Sequence, residues 1–88
     1  MKFQVEMMPS SLADLQKLDQ MVADRIATKL RFFARQENPL RFAERLTNSP
    51  YGEYRFRVGD YRILFDVNAR GKITILIILR IKHRREAY

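Results

Sequence analysis

The chain has 88 residues, and its 17 lysines and arginines exceed its 10 aspartates and glutamates to give a net charge of +7. A chain this short is expected to fold as one unit, so we expect a single domain spanning residues 1–88 and exclude a second one. Hydrophobic residues make up 47% of it, which is too many for a disordered polycation. The absence of cysteine excludes disulfides, thiolate metal sites and a cysteine nucleophile.

The first strand is expected around Phe3 and Val5, where apolar and polar residues alternate. This beginning lacks the apolar stretch of a signal peptide, and the longest apolar run, near Ile73–Leu79, is too short to span a membrane. We therefore expect a cytoplasmic protein with no membrane contact. The tripeptide Pro9-Ser10-Ser11 is expected to end the strand and to cap a helix.

A helical segment follows, because apolar residues from Leu12 to Phe33 recur three or four positions apart. Asp19 is a candidate cap for a second helix, and the pattern leaves open either two antiparallel helices or one kinked helix. Asn38-Pro39 ends this segment, since proline disfavours a helical conformation in the residue before it. The stretch Leu40–Leu46 fits one more helical turn, and Thr47-Asn48-Ser49-Pro50 has the composition of a loop.

A β-hairpin is predicted on both sides of Gly59-Asp60, because the residues before and after this pair alternate in polarity. Glycine at the first turn position favours a type II′ turn. That turn places Val58 opposite Tyr61, and it sets Phe56 against Ile63 on one face. Two arginines, Arg57 and Arg62, then oppose each other on the second face.

The last strand is expected over Lys72–Ile81, after a turn at Asn68-Ala69-Arg70-Gly71. Simple alternation places Ile73, Ile75, Ile77, Leu79 and Ile81 on one face. The same rule places Thr74, Leu76, Ile78, Arg80 and Lys82 on the other face. We therefore expect the helices to cover one face of the sheet and part of the other.

Three arginines of the hairpin, Arg55, Arg57 and Arg62, are expected to share one face. Like charges opposed across strands destabilise a sheet, so this arrangement favours an anionic partner, and the arginine fork matches phosphate oxygens. The alternative is an ordinary solvated polar face.

The basic tail extends the same charge, and either a polyanion contact or a frayed charged terminus accounts for it. A terminal tyrosine in it is able to stack on an unpaired base. The tail residues are Arg80, Lys82, His83, Arg84, Arg85 and Tyr88.

Metal and cofactor chemistry has no basis in this sequence, which holds one histidine and no cysteine. We expect neither a metal site nor a cofactor. The carboxylates Asp14, Asp24, Glu37 and Glu44 are expected to lie away from the hairpin, so no paired-carboxylate site is predicted.

The hairpin and the tail together resemble the RelE/ParE superfamily of bacterial and archaeal toxins. The resemblance is carried by G-x-Y-R-x-R-V-G-D-Y-R from Gly52 to Arg62 and by the ending H-R-R-E-x-Y, and the remaining elements agree over nearly the whole chain. It implies a small α/β (α+β) RelE-like fold in which two N-terminal helices pack on a twisted, mainly antiparallel sheet of about four strands.

The RelE-like branch implies a type II toxin that cuts mRNA in the ribosomal A site without a metal. In that family a ribose 2′-hydroxyl attacks the adjacent phosphate. By position, the resemblance implies catalytic roles for Arg62, Arg84 and Tyr88. It implies RNA contacts for Arg55, Arg57, Arg80, Lys82, His83 and Arg85.

The implied partners are a RelB-like antitoxin, mRNA and the ribosome, with operator DNA reached only through the antitoxin complex. Arg55 and Arg57 stand where the best-known member has lysines, and arginine is the poorer proton donor. The alternative from the same superfamily is a ParE-like toxin that inhibits DNA gyrase and has no nuclease activity.

Overall fold

The computed structural model describes residues 2–50 and 52–86, which form two helices and a five-stranded sheet. The elements are β1 (Lys2–Met7), α1 (Pro9–Gln16), α2 (Gln20–Arg35), a 3₁₀ turn (Pro39–Phe42), β2 (Ala43–Arg45), β3 (Tyr54–Val58), β4 (Tyr61–Arg70) and β5 (Ile73–His83). The strand order is β1-β5-β4-β3-β2, with β1 parallel to β5 and every other neighbouring pair antiparallel. The α+β class is confirmed.

The sheet has one strand more than the four expected, because part of Leu40–Leu46 is extended. Pro39 opens a 3₁₀ turn in which the side chain of Asn38 accepts a hydrogen bond from the Leu40 amide. The next three residues then pair with β3 as β2. This segment is too short to show a period, so the expectation of a helical turn extending to Leu46 was wrong.

Two separate helices are present, and neither begins with the capping bond expected from the sequence. Met8 precedes α1, and Ser11 donates its hydroxyl hydrogen bond back to the Met8 carbonyl. Asp19 precedes α2, but its side chain makes no capping hydrogen bond. Proline in the first turn of α1 already suits the geometry of a helix start, since its missing N–H is not needed there.

The core lies between α2 and one face of the sheet. Ile26, Leu30 and Phe33 of α2 are buried against it. The rings of Phe33 and Phe56 stack with centroids 4.2 Å apart, and Phe56 stacks in turn on Phe65 at 4.4 Å. The three-to-four residue spacing of these apolar positions places them on the one face of α2 that packs against the sheet.

The predicted hairpin register is confirmed. Val58 pairs with Tyr61, Phe56 with Ile63, and Arg57 with Arg62. Gly59 has φ of 57° while Asp60 is not left-handed, which agrees with a type II′ turn. The following strand, β4, runs on to Arg70, so the next turn is confined to Gly71 and Lys72.

A β-bulge in β5 changes the facing of its second half. Leu64 pairs with Arg80 while its neighbour Phe65 pairs with Ile78, so Leu79 is an extra residue without a partner in β4. An extra residue reverses the alternation beyond it.

Two predicted groupings were therefore wrong. Leu76 and Ile78 belong to the core together with Ile81. Arg80 and Lys82 lie on the opposite face, because they pair with Leu64 and Arg62. Nothing in the sequence marks the position of the bulge, because the apolar residues that precede it in β5 follow one another without interruption. A prediction that assumes strict alternation therefore assigns the residues after Leu79 to the wrong face.

Helix α1 covers the edge of β5 beyond the end of β1. Two residues one turn apart in α1 reach the bulge: the hydroxyl of Ser10 donates to the Leu79 carbonyl at 2.7 Å, and Asp14 Oδ2 accepts from the Ile81 amide at 2.9 Å. These contacts satisfy backbone groups that an uncovered edge strand would leave open.

The loop between β2 and β3 folds over the sheet next to the bulge. The Leu46 amide donates to the Glu53 carbonyl at 2.7 Å, and the Glu53 amide donates to Asp66 Oδ1 at 2.9 Å. Gly52 has φ of 106°, and a Cβ there would lie 2.8 Å from Leu79 Cδ1 and 3.0 Å from the Phe65 carbonyl oxygen. Only glycine fits this position without strain. Over the described residues, no helix is long and apolar enough to cross a bilayer.

Candidate nucleic-acid interface

Five cationic residues lie on the sheet face opposite α2, and we call this surface the basic face. Strand pairing arranges it in two rows across the sheet, with neighbours about 4.8 Å apart. The first row contains Arg57, Arg62 and Lys82, and the second contains Glu44, Arg55, Leu64 and Arg80. The bulge completes both rows, since without it Arg80 and Lys82 would point toward the core side.

Arg62 is the central cation of the first row and is 8% exposed. Its Nη1 donates to the carbonyls of Gly59 and Tyr61, at 3.0 Å each. Its Nε is buried and has no hydrogen-bond partner among the described residues. The hairpin turn therefore fixes the Arg62 guanidinium through Nη1, while Nε has no hydrogen-bond acceptor among the described residues. An unsatisfied buried donor is uncommon in a native fold and calls for an explanation, and a catalytic role is one of those that such groups serve.

Glu44 bridges two of the predicted arginines. Its Oε2 lies 2.8 Å from Arg55 Nη2, and its Oε1 lies 2.6 Å from Arg57 Nε. The side chain of Arg55 is 10% exposed and that of Arg57 is 56% exposed. The hydrogen bond from Arg55, together with the charges of Arg55, Arg57 and Arg62, holds the pKa of Glu44 below its usual value against the opposing effect of desolvation.

The expectation that Glu44 lies away from the hairpin was therefore wrong. It stands directly opposite Arg55, in a strand that the sequence pattern did not indicate. The signal that would have found it is charge complementarity, because a carboxylate on a neighbouring strand compensates the repulsion between Arg57 and Arg62.

Arg80 is held by Asp14, another carboxylate expected to lie elsewhere. The Arg80 Nε donates to Oδ2 at 2.8 Å and Nη2 donates to Oδ1 at 3.0 Å, a two-bond fork. Partial burial acts to raise the pKa of Asp14, but the hydrogen bonds from Arg80 and Ile81 and the nearby charges of Arg80 and Lys82 outweigh it, so this pKa lies below its usual value.

Arg84 stands at the turn end of the first row. Its amide donates to the Asp60 carbonyl at 2.7 Å, and its Nε lies 3.9 Å from Asp60 Oδ1. Its side chain is 56% exposed and therefore remains accessible to a ligand.

His83 and Arg85 are not part of the two rows. His83 pairs with Tyr61 on the side of the sheet that faces the core, and its ring meets the Tyr61 ring edge-on at 5.4 Å. The Nδ1 of His83 accepts from the amide of Arg85, which is exposed. Tyr88, the third residue with an implied catalytic role, lies outside the described residues.

The arrangement is suited to a chain of phosphates. The basic face brings five cations together with two carboxylates, Glu44 and Asp14, so an excess of positive charge remains. Within residues 2–50 and 52–86, no group of three or more histidine, cysteine or acidic side chains is placed to hold a metal ion.

Comparison with known proteins places this fold among bacterial and archaeal toxins. A family described as "ParE toxin of type II toxin-antitoxin system, parDE" matches residues 5–88. No curated protein matches the chain by sequence.

Solved structures agree with the family match. A chain of the toxin-antitoxin complex RelBE2 from Mycobacterium tuberculosis is 29% identical, with 96% of this chain and 100% of that chain covered and a TM-score of 0.68. The YoeB/ParE toxin from Agrobacterium tumefaciens is 19% identical over 91% of this chain and 97% of that chain, with a TM-score of 0.66. A chain of the archaeal RelE-RelB complex from Pyrococcus horikoshii is 24% identical over 99% of this chain and 100% of that chain, with a TM-score of 0.65.

The fold and these matches define the class as a toxin of a type II toxin–antitoxin system. More particularly, the chain belongs to the ParE toxin family, within the RelE/ParE superfamily that the hairpin and tail motifs indicated.

Proposed function

We propose that this toxin is a ribosome-dependent endoribonuclease that cuts mRNA in the ribosomal A site. The observation that carries the proposal is Arg62, whose buried Nε has no partner among the described residues while its other end is fixed to the hairpin turn. A preorganised donor beside charge that develops in a transition state is among the most effective catalytic devices.

In the proposed reaction the ribose 2′-hydroxyl gives up its proton to water as its oxygen forms a bond to the adjacent phosphorus. The bond from phosphorus to the 5′-oxygen breaks, and the 5′-oxygen takes up a proton. The products are a 2′,3′-cyclic phosphate and a 5′-hydroxyl. Arg62 stabilises the negative charge that develops on the non-bridging oxygens. Arg57 and Lys82, its neighbours in the first row, hold the backbone on either side.

Proton transfer is assigned to the end of the chain that follows β5. Arg84 stands beside the turn that holds Arg62, and we propose that it acts on the leaving oxygen. Tyr88 stacks on the base or takes part in proton transfer.

The remaining cations act over longer range. Arg55 and Arg80 are bound to Glu44 and Asp14, so their proposed contribution is to the potential of the basic face. His83 and Arg85 contact RNA further from the cut.

The proposed partners follow from this activity. They are mRNA on the translating ribosome in the cytoplasm and a RelB-like antitoxin that neutralises the toxin. Operator DNA is contacted only through the antitoxin complex. The similar structures from Mycobacterium and Pyrococcus, both solved as complexes, support the antitoxin as a partner.

A second candidate is a ParE-like inhibitor of DNA gyrase without nuclease activity. Two observations favour it: the matching family is described as ParE toxin, and Glu44 and Asp14 already occupy three of the arginines. A surface that binds a protein target does not require free guanidinium groups.

The deciding experiment compares wild type with Arg62→Lys on translating ribosomes and maps the new 5′-hydroxyl ends of the mRNA. Lysine keeps the positive charge but lacks the planar set of N–H donors of the guanidinium. We therefore expect the rate of codon-positioned cleavage to fall about a hundredfold. Arg31→Ala is the matched control, because Arg31 is an exposed arginine on α2 whose Nη2 contacts only Thr28 in the described structure, and it should cut like wild type. Intact mRNA together with trapped gyrase–DNA complexes would select the second candidate.

A further inference from the structure

The first row of the basic face ends at an open edge of the sheet. Strand β2 pairs with β3 only over residues 54–56, so Arg57 and Val58 lie beyond the reach of β2 and form the sheet edge themselves. The side chain of Arg57 is largely exposed at this edge. A nucleic-acid strand that follows the first row past Arg57 therefore leaves the sheet at this point.

Helix α2 brings another arginine to the same edge. The Nη1 of Arg25 lies 3.5 Å from the position that a Cβ at Gly59 would occupy, so this guanidinium reaches the hairpin turn just beyond Arg57. Arg25 is exposed and makes no ion pair with a carboxylate in the described part of the chain. It lies on a different element from every cation of the basic face.

Three arginines from three parts of the chain thus surround one turn. Arg62 donates to the Gly59 carbonyl, and the amide of Arg84 donates to the Asp60 carbonyl, while Arg25 approaches Gly59 from the helix. The turn contributes one carboxylate, Asp60, whose Oδ1 lies 3.9 Å from Arg84 Nε. The positive charge here exceeds the negative charge, and such a surface attracts an anion.

The side of α2 that carries Arg25 continues this positive charge away from the turn. Lys29 follows Arg25 by four positions and Phe32 follows Lys29 by three, so the three side chains share one side of the helix. Lys29 Nζ lies 5.4 Å from the centre of the Phe32 ring, and Phe32 is 44% exposed. We call Arg25, Lys29 and Phe32 the helix stripe. Cations combined with an exposed aromatic ring are typical of surfaces that bind single-stranded nucleic acids.

The charge and the position of the helix stripe favour RNA as its occupant. The stripe begins where the first row ends, and it adds about 10 Å of surface, at a rise of about 1.5 Å per helical residue. The single acidic residue of α2, Asp24, accepts a hydrogen bond from Gln20 at 2.8 Å and does not belong to the stripe. A second copy of this chain is disfavoured, because each copy carries +7.

We propose that the RNA strand bound along the first row turns around the sheet edge at Arg57 and continues over the helix stripe. Arg25 and Lys29 bind its phosphates there, and Phe32 stacks on a base. The inference rests on the proposed function and extends it by a binding surface outside the sheet. Because the helix stripe lies away from the reacting phosphate, it increases the affinity for RNA and leaves the rate of the chemical step unchanged.

The test measures how the affinity depends on the length of the RNA, by fluorescence anisotropy with 2′-O-methyl oligonucleotides that cannot be cut. An oligonucleotide of about 4 nucleotides fills the basic face, and one of about 10 nucleotides also reaches the helix stripe. We expect wild type to bind the longer one about tenfold more tightly. The gain should come from extension at one end only, because the stripe adjoins one end of the first row.

Two variants should remove most of that gain while binding the short oligonucleotide like wild type, which also shows that they are folded. Arg25→Gln removes a phosphate contact and should reduce the salt dependence of binding by about 0.7 in the logarithmic slope. Phe32→Leu keeps an apolar side chain but loses the ring that stacks on a base. Arg31→Gln is the matched control, since Arg31 is an exposed arginine of α2 outside the stripe, and it should keep the full gain.

Three results would overturn the proposal. The first is a full length-dependent gain in both Arg25→Gln and Phe32→Leu. The second is an equal loss in Arg31→Gln, because the effect would then reflect the net charge of α2. The third is a loss of antitoxin affinity with unchanged RNA binding, which would assign the helix stripe to a protein partner.

Cleavage on translating ribosomes separates this inference from the proposed function. Arg25→Gln should raise the toxin concentration that gives half-maximal cleavage and leave the maximal rate unchanged, whereas Arg62→Lys lowers the maximal rate. A wild type that cuts mRNA but gains no affinity from a longer strand would refute the helix stripe alone. A wild type that shows the gain but cuts no mRNA would refute the proposed reaction and support the stripe as an RNA-binding surface.

Discussion

Arg57 lies directly opposite Arg62 across the β3–β4 hairpin, and of these two residues only Arg57 has a carboxylate within ion-pair distance in the described part of the chain. Glu44 bonds to Arg57, whereas Arg62 turns back to two backbone carbonyls of the hairpin turn. The repulsion expected between opposed guanidinium groups is thus relieved on one side only. Arg62 makes no direct ion pair with a carboxylate among the described residues, and the proposed reaction uses its charge.

The burial of Arg62 predicts that Arg62→Ala affects stability as well as activity. A surface arginine would be replaced at little cost, but this side chain is 8% exposed and bonds the turn. We expect the free energy of unfolding to fall by about 1 kcal/mol. Urea denaturation measures it, with the more exposed Arg57→Ala as the control at about half that effect or less. An unchanged midpoint for Arg62→Ala would show that the two carbonyl bonds contribute nothing.

Removing the charge of Glu44 should strengthen RNA binding. The Glu44→Gln variant leaves Arg57 without its counter-ion, and a charge interaction at about 4 Å in water is worth about 1 kcal/mol, which corresponds to about fivefold tighter binding. The salt dependence should also steepen by about one phosphate contact. Fluorescence anisotropy with a 12-nucleotide 2′-O-methyl oligonucleotide measures both quantities.

The control for that experiment is Glu53→Gln, which removes the same charge from an exposed loop residue. It should change the affinity less than twofold. If Glu44→Gln instead weakened binding, the role of Glu44 would be to position the two arginines rather than to compete with phosphate.

Asp14→Asn should lower stability in a manner that depends on pH. The pKa of Asp14 is lowered in the fold, so its contribution is fully present above the unfolded value of about 3.9 and is lost as the pH falls through the lower folded value. We expect the variant to lose about 2 kcal/mol near pH 7. The difference from wild type should shrink below pH 4, as thermal unfolding across this range will show. A difference independent of pH would mean that the Arg80 pair is not responsible.

Gly52→Ala should be markedly more harmful than Gly71→Ala. Both residues have positive φ, but a Cβ at Gly52 meets Leu79 and the Phe65 carbonyl, whereas nothing lies within 4 Å of the one at Gly71. We expect a loss of about 1 kcal/mol at Gly71 for the left-handed backbone, and about 3 kcal/mol at Gly52. Chemical denaturation of the two variants compares them directly, and equal losses would refute the close approach of this loop to the bulge.

Much of the hairpin could be predicted from the sequence, because the Gly59-Asp60 turn and the alternation on both sides of it determine one register. The shared face of Arg55, Arg57 and Arg62 followed from that register. The partners of these arginines did not. Glu44 lies in a three-residue strand without a readable period, and Asp14 reaches β5 from a helix 66 positions earlier in the chain.

The facing of β5 was also beyond prediction from its pattern. Its apolar residues occur at both odd and even positions, so either face of the strand could plausibly face the core. The choice is made in three dimensions by α1, whose Ser10 holds the carbonyl of the extra residue Leu79 and whose Asp14 holds the amide of Ile81, two positions further on.

The single unpaired residue Leu79 makes the length of β5 more critical than the identity of that residue. Deleting Leu79 would turn the residues that follow it to the opposite face of the sheet. The two cations Arg80 and Lys82 would then point into the hydrophobic core, and Ile81 would point to solvent. A substitution of Leu79 leaves the number of residues in β5, and therefore the facing of Arg80 and Lys82, unchanged. Natural variation at this position should therefore accept many side chains but very few gaps.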